Sequence, residues 1–68
     1  MPYVHVRITR EGTTAPQKAA LIAGVTELLQ RVLAKDPALT HVIIEEVELD
    51  NWGVHGRPVT ALRAERLT

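Results

Sequence analysis

The chain has 68 residues, eight basic and eight acidic side chains, a formal net charge of zero and no cysteine. That excludes disulfide or thiolate-metal stapling, and the lack of a basic excess excludes the usual profile of a nucleic-acid binder. With 46% hydrophobic residues it is no disordered tail, yet at this length one core is marginal, so burial between subunits is the expected source of stability.

Tyr3 to Thr9 alternate, with Val4, Val6 and Ile8 on one side and Tyr3, His5, Arg7 and Thr9 on the other, which predicts a strand. Arg10 to Thr13 read as a turn around Gly12. Thr14-Ala15-Pro16-Gln17 predicts a helix start, with Thr14 and Gln17 capping each other and Pro16 in the first turn. Leu21, Val25, Leu28 and Val32 then recur at helical spacing, widened by Ile22, Leu29 and Leu33, up to Ala34. Lys35-Asp36-Pro37 ends the helix, because a residue before proline avoids the αR region. His41 to Val47 is rich in β-branched residues and predicts a second strand, parallel to the first because a helix intervenes. Asn51 to Pro58 predicts a tight hairpin or loop. Val59 to Thr68 reads as a polar tail anchored by Leu62 and Leu67.

The expected fold class is therefore α+β: a small β-α-β unit with a C-terminal hairpin, forming a single domain over residues 1–68. One helix covers only one face of a two-stranded sheet, so self-association is expected on physical grounds. No apolar run approaches the roughly 20 residues that span a bilayer, and MPYVHVRITRE is unlike a signal peptide. A cytoplasmic protein without a membrane partner is the default expectation.

Residue chemistry alone gives modest candidates. Pro2 at a strand start is compatible with strand initiation, since proline there lacks only an N–H the ladder does not need. Trp52 is compatible with core or interface packing, and Arg7, Arg10 and Arg57 with solvated surface charges. His5, His41 and His55 lack the HxH or HExxH spacing of a metal site, so no metal is expected. Glu45 and Glu46 point to opposite faces of a strand, which disfavours a paired-carboxylate site.

Three features combine into something more specific: Met-Pro at the start, the ITREGTTAPQKAALI segment, and VIIEEVELDNWGVHG. Together they resemble the 4-oxalocrotonate tautomerase family over about residues 2 to 60. The resemblance implies a homohexamer, a trimer of dimers whose sites draw residues from neighbouring subunits. It implies no cofactor, and a small enol or keto acid as the molecular partner. Pro2, once Met1 is removed, matches the family's general base for keto–enol proton transfer. Trp52 matches its aromatic wall, with Gly53 following. The family's two substrate-binding arginines are replaced here by Thr13 and His41. Arg10, Arg57 and His41 are the groups left to hold a substrate carboxylate or a developing enolate.

The chemistry is sound for such a base. An α-amino group titrates near 7.7–8.0, closer to neutral than lysine, and desolvation against Trp52, Val4 or Leu39 would lower it further. Two other readings share the fold. One is a non-catalytic oligomeric module or a partner subunit of a mixed hexamer that supplies arginines from a second chain. The other is a relative that hydrates or dehalogenates unsaturated acids.

Overall fold

The structure, a computed structural model, describes residues 1–66. Strand β1 (Tyr3–Thr9), helix α1 (Ala15–Leu33) and strand β2 (His41–Val47) follow in order. A short antiparallel pair, β3 (Gly53–Val54) and β4 (Arg57–Pro58), and helix α2 (Val59–Arg66) complete the chain. Single 3-10 turns at Pro37–Leu39 and Leu49–Asn51 flank β2.

The first strand pairs in parallel with the second, in a register that sets Tyr3 opposite His41, Arg7 opposite Glu45 and Thr9 opposite Val47. Alternation then sorts the side chains. Val4, Val6, Ile8, Val42, Ile44 and Glu46 share one face, and Tyr3, His5, Arg7, Thr9, His41, Ile43, Glu45 and Val47 share the other. The helix starts as its sequence dictates: the Thr14 hydroxyl accepts from the Gln17 N–H at 3.3 Å, and the Gln17 amide oxygen accepts from the Thr14 N–H at 2.9 Å. It ends at Ala34, which takes a left-handed conformation with φ 56°.

His55 and Gly56 both have positive φ, 54° and 78°. Two consecutive positive values between antiparallel strands are the mark of a type I′ hairpin turn, whose twist matches that of the strands. The expected tight hairpin is present.

The expected polar tail is not. Val59 to Arg66 is helical, and the tail reading is corrected. Val59 is the buried hydrophobic residue of the described chain, at 8% exposure. Its N–H donates to the Trp52 carbonyl at 2.8 Å, and the Thr60 hydroxyl donates to Asp50 at 2.5 Å. Leu62 is half-buried as an anchor, whereas Leu67 lies outside the described residues.

A chain of this length folded compactly would have a radius of gyration of about 11 Å. The observed value is 15.7 Å, with extents of 48 × 25 × 16 Å. The accessible surface is 5207 Å², against about 4,200 Å² for a compact monomer of the same mass. Leu28, Val32 and Leu33 on α1 and Ile43 on β2 remain exposed at 47%, 62%, 56% and 47%. The single chain thus leaves apolar surface that a compact monomer would bury.

Candidate functional site

The sequence-derived candidates fall at two ends of the sheet. At the start of the strands, the Pro2 carbonyl accepts from the His41 N–H at 3.0 Å, which extends the parallel ladder by one bond and fixes the head of the chain. Pro2 is half-buried and His41 exposed, while Met1 is 84% exposed. Leu39 just precedes β2 and Val4 lies at the start of β1, so two of the three apolar candidates stand at the Pro2 end of the sheet.

Trp52 does not lie there. It follows the far end of β2 and lines two shallow hollows with Arg7 of β1. Five to seven residues of extended chain separate this region from Pro2, roughly 16–23 Å at strand rise. The Trp52 backbone is held from both sides, its N–H donating to Leu49 at 3.3 Å and its carbonyl accepting from Val59. The first hollow, about 400 Å³, also contacts Glu45, Val47 and Asn51. The second, about 460 Å³, includes Thr9, Glu11 and Thr13.

Arg10 also belongs to the far end. Its backbone N–H donates to the Val47 carbonyl at 2.8 Å, and its Nη1 donates to Glu48 at 3.0 Å. Its Nε lies 3.9 Å from Glu46, a residue on the helix-covered face whose other oxygen lies 2.8 Å from Lys18 Nζ. That second contact is an ion pair without the alignment of a hydrogen bond. Arg57 in the hairpin pairs with Glu65 at 2.5 Å. Both arginines expected to meet substrate charge are therefore occupied by acids of their own chain.

On the open face, Glu45 accepts from Arg7 Nε at 2.9 Å and lies 3.0 Å from His5 Nε2. Below the hairpin, Glu11 pairs with Arg63 and accepts from the Thr9 hydroxyl. The Arg63 guanidinium, seconded by Thr9, holds the Glu11 carboxyl below its ordinary value. Among the described residues no group of three or more histidines and acids is placed to hold a metal. No helix among them is long and apolar enough to cross a membrane.

The geometry thus brings Pro2 to His41 at one end of the strands and leaves Arg10 and Trp52 at the other, with Arg10 turned to Glu46 and Glu48 and not among the residues lining the Trp52 hollows. It adds Arg7 and Thr13 beside Trp52. The signal for Arg7 was present in the alternation of β1, which put it on the open face, but its meeting with Trp52 depends on the turn at Leu49–Asn51 that follows β2.

Comparison with known proteins bears on what such an arrangement does. Residues 2–62 match the family described as "Tautomerase enzyme". The probable tautomerase K2 of Dickeya dadantii (strain 3937) is 58% identical over 65 residues, covering 96% of this chain and 97% of that protein. The crystal structure of DmpI from Helicobacter pylori superposes with a TM-score of 0.83 at 39% identity, covering 88% of this chain and 98% of that one. A heterohexamer 4-oxalocrotonate tautomerase from Chloroflexus aurantiacus J-10-fl superposes with a TM-score of 0.82 at 27% identity, over 93% of this chain and 100% of that one.

Proposed function

The chain belongs to the tautomerase family, and from that premise we propose that it is a keto–enol isomerase of small 2-hydroxy-unsaturated or 2-keto acids with Pro2 as general base. The observation that carries the reading is Pro2 itself, one residue from the terminus and pinned through its carbonyl to His41, behind an exposed Met1. Removal of Met1 converts an amide nitrogen, which is not basic, into a free secondary amine. That amine takes the proton of the enol hydroxyl and returns it to carbon, giving the keto acid. The enolate formed on the way needs a cation or donor, and Arg10, Arg57 and His41 are the proposed suppliers. Trp52 is the proposed wall.

Because Pro2 and Trp52 sit at opposite ends of one sheet, the site closes only when copies associate. The elongated shape and exposed apolar residues support a single-domain chain that works as an oligomer, with a hexamer as the proposed state. The test is turnover of phenylenolpyruvate and 2-hydroxymuconate by protein with Met1 removed. Pro2→Ala serves as the control, and an unaffected variant refutes the reading.

A second reading is favoured by two observations. Arg10 and Arg57 are already paired with Glu48 and Glu65, and a similar protein forms a heterohexamer. The chain would then be a subunit whose charge-binding arginine comes from a different chain. Purified protein that is inactive alone and active only with a second chain decides for it.

A further inference from the structure

Arg10, Arg57 and Arg63 each meet an acid through a terminal nitrogen, Nη1. Arg7 is held differently. It donates through Nε to Glu45 at 2.9 Å, and among the described residues nothing is seen to bind its Nη1 or Nη2. The Nη pair is the end of the guanidinium fork that grips a carboxylate by two parallel N–H···O bonds. Glu45 in turn is shared with His5 Nε2 at 3.0 Å. It anchors Arg7 by the edge away from that end.

The surroundings suit an anion with an unsaturated tail. Arg7 and Trp52 are the two residues common to both hollows at this end of the sheet. In the hollow of about 400 Å³, Asn51 adds an amide donor and Trp52 a flat apolar surface. That volume falls within the range of small-molecule sites. The acid that lines the same hollow, Glu45, is the one already paired with the Arg7 guanidinium.

We propose that Arg7 binds the carboxylate of the substrate in this hollow, with the conjugated part of the molecule against Trp52. The inference rests on the isomerase reading for the identity of the ligand, and it narrows the ligand class. One free fork in the hollow selects a planar unsaturated monocarboxylic acid.

Trp52 is the chain's only tryptophan, so its fluorescence reports occupancy directly. The probes are cinnamate and its neutral isostere cinnamamide, titrated against the assembled protein. Wild type binds cinnamate more tightly than cinnamamide by about 10- to 100-fold, the worth of a charge-assisted hydrogen bond. Arg7→Gln weakens cinnamate alone and abolishes that preference. Arg7→Lys, which keeps the charge but not the fork, lies between, and Arg31→Gln on the exposed side of α1 keeps the full preference. Should Arg7→Gln fail to fold, Arg7→Lys carries the test. Equal binding of both probes by wild type, binding of neither, or an Arg7 variant that keeps the preference or loses both probes alike overturns the proposal. The measurement needs no turnover. A protein that isomerises no enol acid but shows the Arg7-dependent preference refutes the isomerase reading and leaves the anion site standing.

Discussion

At the head of the parallel strands, Pro2 is fixed through its carbonyl to His41, and its neighbours Tyr3 and Leu39 stand 63% and 49% exposed. At the far end, Arg7 and Glu45 line a hollow beside Trp52, while Arg10 pairs with Glu46 and Glu48 at the same end of the strands. The first region holds the candidate base and little charge. The second holds charge and an aromatic surface but no candidate base. A parallel β-α-β unit enforces this separation, because both strands begin at one end and the turn, hairpin and second helix return at the other. A site that needs both regions is therefore a property of the assembly.

The largest effect that could break this contrast is at the base. Pro2→Ala should lower kcat by about 10²–10⁴-fold, the usual contribution of a positioned proton carrier. Protein that retains Met1 should be equally inactive yet folded, because one exposed residue ahead of the strand blocks the nitrogen without disturbing the ladder. Intact mass measured alongside turnover checks both. A fully active preparation that still carries Met1 removes Pro2 from the mechanism.

Mixing addresses the separation itself. Chains carrying Pro2→Ala and chains carrying Trp52→Ala should each be weak alone. Co-refolded in equal amounts, they should recover activity at about one quarter of the sites, those pairing an intact Pro2 with an intact Trp52 from another copy. No recovery above the sum of the separate variants would mean that the two ends do not meet.

Within the charged region, Arg10→Ala or Arg57→Ala at the true enolate site should cost about 2–5 kcal/mol in transition-state binding. Wild-type kcat/KM for both variants on every active acid would exclude them. Next in size is a change on the uncovered helix. Leu28→Asp puts a charge on a residue now 47% exposed in the single chain and should cost about 1.5–3 kcal/mol if a second copy covers it. Sedimentation should show dissociation with loss of structure, and a well-folded monomer at micromolar concentration would refute obligate assembly.

The smallest effect concerns the tie between the turn after β1 and α2. Arg63, then Thr9, lowers the Glu11 carboxyl below its ordinary value of 4.5. A depressed folded value means the contact contributes fully above the unfolded value and is lost as pH falls through the folded one. Arg63→Ala should return the Glu11 titration, followed by NMR, toward the ordinary carboxylate range. An unchanged midpoint would assign the shift elsewhere.

The sequence determined much of this by itself. Alternation marked β1 and its faces, β-branched content marked β2, and the reciprocal Thr14–Gln17 cap marked the start of α1, because these signals act between near neighbours. A tight hairpin or loop over Asn51 to Pro58 was legible for the same reason, but that the turn falls at His55 and Gly56 was decided by the backbone. Helix α2 was not legible, since eight residues are too few to be helical alone. Its formation depends on Val59 reaching the Trp52 carbonyl and Thr60 reaching Asp50, contacts made only after the hairpin has turned. Arg7 shows the same limit. Its face was readable from the period of β1, but strand register set Glu45 opposite it, and the turn at Leu49–Asn51 after β2 brought Trp52 alongside. Those are distances across the fold, which a local pattern does not encode.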